Sequence, residues 1–263
     1  MNQTKQPVIS RHNQICQSLT FLVMGMIILA ILSSCSVHDF GTDPNDDQTG
    51  IKGSGEFITE EIDVPYFHSI SMNTAGLVTI TQGTEQNVEV TVDDNIMDFL
   101  IIKVQNDVLI IEVVDNVSLS DYELAVDVGM TDLESLVTNS AGSIRGLNTF
   151  QEDRVNLLVN SAGNIFLDLE ADQLNSMCNS AGNLFLSGQV TDHNVMLSSA
   201  GNLSAFDLLT DTTTIILNSA GNAQVSVSKL LEVTINSAGS VFYKGDPVLI
   251  QHINSIGGVY SAN

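Results

Sequence analysis

A tetrapeptide, Asn-Ser-Ala-Gly, recurs through the second half of the chain and constrains the possible folds more than any other feature. The first residues of successive copies are separated by 21, 19, 19, 20, 18 and 18 residues. Regular spacing in this range is typical of solenoid proteins. The copies span Asn139 to Gly142, Asn160 to Gly163, Asn179 to Gly182, Ser198 to Gly201, Asn218 to Gly221, Asn236 to Gly239 and, in worn form, Asn254 to Gly257, with a diverged earlier copy at Asn73 to Gly76.

Each copy lies between two short runs of strand-forming residues. Residues 155–159 (VNLLV) precede the copy at Asn160, for example, and residues 165–167 (IFL) follow it. The tetrapeptide is therefore predicted to form a corner between strands. Asparagine tolerates left-handed backbone, glycine accepts positive φ at no steric cost, and alanine would fill a tight inner bend.

The length of the repeat decides between fold classes. No interval between corners has the 3.6-residue apolar period of a helix, and two or three strands of about five residues would use up one interval. We expect an all-β fold, a right-handed parallel β-helix-like solenoid of stacked coils, in which the corner asparagines hydrogen-bond in a ladder at a spacing of roughly 4.8 Å. A run of antiparallel hairpins with similar turns is the alternative.

The N-terminal residues have the pattern of a targeting segment. Residues 1–34 combine a basic start with an uncharged apolar run at 19–32, which is the length of a signal-peptide core and short for a transmembrane helix. The run ends at Leu32-Ser33-Ser34-Cys35, which resembles the bacterial lipobox. We therefore predict lipidation at Cys35, a lipid-anchored protein, and the membrane as a partner through that anchor. An uncleaved membrane anchor is the alternative.

The amino-acid composition of the rest of the chain predicts a tether followed by a folded domain. Residues 35–55 are rich in Asp, Gly and Thr and predict a flexible acidic tether. Residues 56–262 are predicted to form one solenoid domain, with looser repeats over 56–132 and regular repeats over 133–262. Residues 93–99 are the candidate for a short helical or irregular excursion.

The negative charge of the chain excludes anionic partners. The formal net charge is −23, with 31 acidic residues against 8 basic ones. Such a surface repels nucleic acid and bare anionic lipid headgroups. Cations and neutral surfaces remain as natural partners.

The sequence offers no catalytic constellation, and we predict no catalytic residue, no metal site and no cofactor. The basic residues of the region after Cys35 share no position within the repeat, as a lyase would require. Recurrent acids such as Asp168, Glu170 and Asp172 could bind calcium, but the nonapeptide of calcium-binding solenoids is missing. Cys178 is expected to be a small inward side chain, and each histidine to be satisfied or exposed. The remaining pattern is a set of phenylalanines near the corners, expected to form an apolar column inside the coils: Phe166, Phe185, Phe206 and Phe242.

The chain resembles the putative auto-transporter adhesin "head GIN" domain family, common in lipoproteins of Bacteroidetes-type bacteria. The matching residues are Phe67-His68-Ser69-Ile70, the run from Asn73 to Gly83, Val90 with 93–96, and Val108-Leu109-Ile110, followed by the Ser-Ala-Gly-Asn corners. The resemblance covers roughly residues 55–262. It implies a β-helix-like fold at the cell envelope, an adhesive role, and no catalytic residues to transfer.

Three functions are compatible with these patterns. The first is an adhesion or interaction module at the outer membrane or cell surface, or on its periplasmic face, with an unknown glycan or protein partner. The second is a structural envelope protein that forms homo-oligomers through its end coils. The third is a glycan-active β-helix enzyme.

Overall fold

The computed structural model describes residues 50–263. The predicted signal peptide 1–34, the lipidation site Cys35 and most of the predicted tether lie outside the described residues. Within them, no helix is long and apolar enough to cross a membrane.

The described chain is almost entirely β-structure, with a single 3₁₀ turn at Met97–Phe99 where the short excursion was predicted. Its strands are β1 (Ile51–Lys52), β2 (Phe57–Glu61), β3 (Ser69–Met72), β4 (Leu77–Gln82), β5 (Asn87–Asp93), β6 (Leu100–Gln105), β7 (Val108–Val113), β8 (Leu119–Ser120), β9 (Leu124–Met130), β10 (Ser135–Thr138), β11 (Ser143–Val159), β12 (Asn164–Cys178), β13 (Asn183–Leu197), β14 (Asn202–Leu217), β15 (Asn222–Ile235), β16 (Ser240–Lys244), β17 (Val248–Ile253) and β18 (Gly258–Ser261).

Strands β10 to β18 stack in parallel, each long strand pairing with the strand one coil away. The stack makes a β-solenoid of about seven turns, which confirms the predicted fold class. Every predicted corner falls between two strands, as Asn160 to Gly163 does between β11 and β12. The hairpin alternative is wrong for this half of the chain, because no antiparallel pairing occurs in β10–β18.

Each regular coil has three segments, which β12 illustrates. In segment A, residues 164–169, alternate side chains point into the core and Ile165, Leu167 and Leu169 are buried. In segment B, residues 170–173, the side chains are exposed or half-buried. In segment C, residues 174–178, all five residues are buried and the coil closes at the next corner. Equivalent residues of neighbouring coils lie in register along segment C and the start of segment A, with shifts at the end of segment A.

The corner glycines are required for a reason other than the predicted one. Apart from Gly76, none of them has a positive φ. They are packed against the preceding coil instead, so that a Cβ on Gly163 would collide with Thr138 Oγ1 and one on Gly221 would lie 2.6 Å from the carbonyl oxygen of Gly201. The predicted role of alanine is also wrong, since Ala162 and its equivalents face solvent.

The predicted asparagine ladder is present along the corners. Asn139 Nδ2 donates to Asn73 Oδ1 at 2.7 Å, and the series continues through Asn160 to Asn179. Ser198 interrupts the ladder, which resumes from Asn218 through Asn236 to Asn254. Two further ladders occur elsewhere in the coil, one after the corner through Asn164, Asn183, Asn202 and Asn222, and one in segment C through Asn156, Asn175 and Asn194.

The first part of the described chain mixes both kinds of pairing. Strands β3 and β4 continue the parallel stack onto β10 and β11. Strand β5 pairs antiparallel with β2 on one side and β9 on the other, and β6 pairs antiparallel with β7. Asn106 and Asp107, predicted as a turn, join β6 to β7 with positive φ angles of 53° and 60°.

Residues 50–55, which the sequence assigns to the tether, form backbone bonds with the domain. Strand β1 pairs with β8, and Gly55 N donates to Asp93 Oδ1 at 2.7 Å. Asp93 also accepts the N–H of Glu123, and these backbone donors lower its pKa. Residues 50–55 are therefore held by backbone bonds that their polar composition does not reveal.

Candidate binding surface

A cleft of about 940 Å³ runs along segment B of three successive coils. Its floor is formed by residues 151–154, 170–172 and 189–191, which lie side by side in register on β11, β12 and β13. Its wall is formed by Tyr66 and His68, before β3, and by residues 132–134 between β9 and β10. The coil stack supplies a straight floor because equivalent residues of the three coils lie in register.

Tyr66 and Asp132 form the polar wall of this cleft. The Tyr66 hydroxyl donates to Asp132 Oδ2 at 3.0 Å, and Thr131 Oγ1 donates to the same oxygen at 2.7 Å. The two hydroxyls, Thr131 first, lower the pKa of Asp132, while the carboxylate raises the pKa of Tyr66. The Tyr66 ring is 51% exposed and packs edge-on against His68. His68 Nδ1 in turn lies 3.3 Å from Glu134 Oε2.

Glu152 is the most enclosed carboxylate of the floor. Its Oε1 accepts the N–H of Leu133 at 2.6 Å and the amide of Gln82 at 2.8 Å. Burial nevertheless outweighs these donors and raises the pKa of Glu152. A glutamic acid in this position both fixes the wall to the floor and holds a proton more readily than an exposed one.

The rest of the floor presents carboxylates, amides and the Arg154 guanidinium to solvent, with acidic residues in the majority. Asp153, Glu170 and Asp172 are exposed, and Gln151 and Gln189 lie between them. These groups can accept hydrogen bonds from hydroxyls and donate through the amides, while the exposed Tyr66 ring offers an apolar face. The cleft is suited to a hydroxyl-rich or cationic ligand and repels an anionic one.

A second, smaller cleft of about 530 Å³ continues the same side of the solenoid. It shares Gln189 and Thr191 with the first cleft and is lined further along by Phe206, Leu209 and Lys244. Leu209 is 61% exposed, and the Lys244 ammonium lies 4.4 Å from the centre of the Phe206 ring. Segment B therefore forms an extended surface that changes from acidic to apolar along the stack.

The phenylalanines of segment A lie outside the solenoid, so the predicted interior column is wrong. Phe166 and Phe185 stack with their ring centres 4.6 Å apart, and the Arg145 guanidinium covers the other face of Phe166 at 4.2 Å. Phe242 and Tyr260 form a second stack. The inward positions are occupied by the residues on either side, such as Ile165 and Leu167.

The predicted site residues are corners, and they do not converge on the clefts. In the part of the chain that the structure describes, no three His, Cys, Asp or Glu side chains are placed to hold one metal ion. Cys178 is buried, as predicted, and its thiol donates to the carbonyl of Gly182. Burial raises the pKa of the Cys178 thiol to about 11, which disfavours the reactive thiolate.

A family model of known proteins matches most of the chain. The family model described as "Putative auto-transporter adhesin, head GIN domain" matches residues 66–247. No curated protein matches the chain.

Solved structures share the fold at low sequence identity. A putative adhesin from Bacteroides fragilis has 19% identity and a TM-score of 0.77, with 81% of this chain and 100% of that chain covered. A putative adhesin from Parabacteroides merdae has 20% identity and a TM-score of 0.66, with 81% and 99% covered. A putative lipid binding protein from Parabacteroides distasonis has 21% identity and a TM-score of 0.68, with the same coverage.

Proposed function

Because the chain belongs to the putative auto-transporter adhesin, head GIN domain family, we propose that it is a non-catalytic, adhesin-like binding module of the cell envelope. The cleft on segment B is its contact surface, and a neutral or amino-sugar glycan is its ligand. The observation that carries this proposal is the combination of an exposed tyrosine ring with carboxylates and amides along three coils.

The chemistry of the cleft favours a glycan. Sugar hydroxyls donate to carboxylates and accept from amides, and the C–H face of a sugar ring packs on an aromatic ring. The rise between coils of about 4.8 Å presents these groups as a linear array, which suits a chain of sugar units. The net charge of −23 opposes uronic-acid and sulfated chains.

Lipid anchoring through Cys35 is the second part of the proposal. The lipobox-like sequence before Cys35 supports it, and the family's envelope setting is compatible with it. The anchor would hold the cleft at the outer membrane, on either face. Replacing Cys35 with Ala in the full chain should abolish incorporation of radiolabelled palmitate and release the protein from the membrane fraction. Continued labelling of that variant would contradict the assignment.

Glycan binding is tested with residues 48–263, which form one compact unit. On an array of neutral, amino and acidic glycans, we expect binding to neutral or amino sugars alone. The double variant Glu170→Gln, Asp172→Asn and the variant Tyr66→Ala should each weaken binding at least about tenfold. The matched control Glu60→Gln, Glu61→Gln removes the same charge from exposed positions of β2 and should bind as the parent does. Equal losses in both double variants would overturn the assignment of the cleft.

The raised pKa of Glu152 favours glycan hydrolysis as a second candidate function. A glutamic acid whose pKa is raised by burial, with further carboxylates such as Asp132 and Asp153 nearby, resembles the general acid of glycosidases. Release of reducing ends from a glycan that binds on the array, lost in Glu152→Gln, would support this activity. Binding with no release over a day of incubation would favour the module.

A further inference from the structure

The two ends of the solenoid are built differently. Within residues 50–263, β17 pairs with β15 alone and β18 pairs with β16 alone, so both strands of the last coil keep one free edge. At the opposite end β2 pairs with β5 alone and β6 with β7 alone, but these free edges carry charged residues, Glu60 and Glu61 on β2 and Lys103 on β6. Charged edge residues of this kind prevent strand pairing, whereas the last coil has none of them.

The last coil also opens the apolar interior. Ile253 occupies the inward column of Ile235, yet it is 39% exposed where Ile235 is fully buried. Leu249 and Val259 point into the same opening and are half-buried. A core cross-section that ends in solvent has a hydrophobic driving force for coverage.

Charge identifies what can cover this end. The full chain has 31 acidic residues, but residues 248–263 contain no Asp, Glu, Lys or Arg side chain. Two copies of so acidic a chain repel each other over most surfaces, and the repulsion is least where both are uncharged. The uncharged end of one molecule is therefore best matched by the same end of another.

We propose that two copies pair end to end through β17 and β18 about a twofold axis. An axis through the corner Asn254 to Gly257 sets β17 of each copy antiparallel to β18 of the other, so that both free edges are used. The charged edge strands of the opposite end stop growth at a closed pair, as expected of an isologous contact.

The corner at this axis has an unusual residue. Ile256 stands where the complete corner copies have alanine, and its side chain is 89% exposed. A twofold axis through the corner brings the two Ile256 side chains together. In the pair, each exposed Ile256 side chain would be covered in part by its counterpart.

The backbone geometry shows which groups would bond across the pair. Asn254 N donates to the carbonyl of Ile235, so the N–H groups of alternate residues of β17 face β15. The N–H groups of Leu249, Gln251 and Ile253 consequently face the free edge. Gln251 is exposed, and a proline there removes a free-edge donor without breaking an internal bond.

The test is sedimentation equilibrium of residues 48–263 over about 1 to 200 µM, since a specific pair of this kind is expected to have a Kd in the micromolar range. We expect a monomer–dimer equilibrium and no larger species. Gln251→Lys places a charge in the opening and Gln251→Pro removes the edge donor, so each should weaken dimerisation at least about tenfold. Gln224→Lys, an exposed lateral control of equal charge, should leave it unchanged.

Circular dichroism and melting of each variant verify that the monomer is folded. A parent that stays monomeric, a series of larger oligomers, or a folded Gln251→Lys that dimerises as the parent does would each overturn the proposal.

Chemical crosslinking tests the position of the axis. In residues 48–263 the native cysteine, Cys178, is buried. Ile256→Cys should give a covalent dimer with a short bismaleimide, whereas Ala181→Cys, at the same corner position of a central coil, should not. Equal crosslinking of both variants, or none of Ile256→Cys, would contradict a twofold axis at this corner.

Discussion

His193 is a polar residue in the interior of the solenoid. It is 1% exposed, its Nε2 lies 2.9 Å from Ser176 Oγ, and its Nδ1 has no hydrogen-bond partner. This contradicts the expectation that each histidine is satisfied or exposed. Burial without an acidic neighbour lowers the pKa of His193 from 6.5 to about 3. The folded protein therefore holds this imidazole neutral at a pH where the unfolded chain protonates it.

Stability should consequently fall as the pH is lowered through the unfolded-state pKa. The contribution is fully present above pH 6.5 and is lost progressively toward pH 3, amounting to about 2 kcal/mol between pH 7.5 and 5. Urea unfolding at each pH measures it. The His193→Leu variant should remove that share of the pH dependence. Val195→Ala, a control for core damage in the same strand, should lower stability by a similar amount at both pH values.

Gly182 offers a residue-scale test of close packing at the corners. A Cβ there would collide with Val159 Cγ1 and lie 3.0 Å from the carbonyl oxygen of Gly163. We expect Gly182→Ala to lower the free energy of unfolding by about 1 to 3 kcal/mol. Gly83, where a Cβ would meet no other atom within 4 Å, is the control, and Gly83→Ala should change it by less than about 0.5 kcal/mol. Similar effects at both positions would show that backbone freedom, not contact, selects glycine.

The sequence itself contains evidence against the predicted interior column of phenylalanines. The second residue after each regular corner glycine is always aliphatic, while the third varies among Arg, Phe, Ser and Gln. This contrast indicates that the third position faces outward, even though three of its residues are phenylalanines. The environment of His193 was not predictable, because its neighbours come from other coils.

The asparagine ladders add side-chain hydrogen bonds to the backbone bonds that join one coil to the next. Asn175 is 4% exposed, donates to Asn156 and accepts from Asn194. Replacing it with alanine leaves both partners unsatisfied, so we expect a loss of about 1 to 3 kcal/mol in urea unfolding. Asn254→Ala, at the exposed end of the corner ladder, should cost less than about 1 kcal/mol. A smaller loss at Asn175 than at Asn254 would deny the ladders a stabilising role.

The break at Ser198 gives a prediction of opposite sign. This position lies in the corner column between Asn179 and Asn218, and a serine cannot bridge their amides. Ser198→Asn should join the two halves of the ladder and raise the free energy of unfolding by about 1 kcal/mol. Ser219→Asn, at the second position of the next corner, serves as the control and should bring no such gain. An unchanged or lower stability of Ser198→Asn would mean that the local backbone, where Ser199 has a φ of 60°, prevents the bridge.

At the scale of the elements, the sequence predicted the corners and their ladder because both depend on residues that recur at one position. It did not predict the antiparallel strands around β5 and β9. Their pairing joins segments such as 87–92 and 124–129 that share no repeated motif. The ladders through Asn164 and Asn175 also follow the repeat, but their asparagines lie within the strands and not at the corners.

Across the whole molecule, each coil contacts its neighbours alone, so opening should begin at the ends. Hydrogen exchange at low protein concentration should be slowest in β12 and β13 and fastest in β17 and β18, whose free edges carry unbonded N–H groups. Raising the concentration should slow exchange in the last coil if the end-to-end pair forms. Uniform protection from β11 to β18 at every concentration would contradict this gradient.

The clefts show why a binding site is harder to predict than a solenoid. The acids of the floor recur in the repeat and are therefore evident from the sequence. Tyr66, His68 and Asp132, in contrast, reach the cleft from the irregular first part of the domain. Their positions follow from where β3 joins β10, which no periodicity encodes. Residues such as Glu152 acquire their role only when that wall meets the floor.

The irregularities of the coil all fall in one place. Register shifts occur between Arg145 and Thr149, between Phe185 and Ser187, and between Ala205 and Thr212, at the end of segment A and in segment B. Segment C and the corners have none. The coils can therefore vary in length beside the clefts, while segment C and the corners keep their register. New loops grafted beside the clefts would diversify recognition without disturbing the solenoid, much as variable loops do on an immunoglobulin framework.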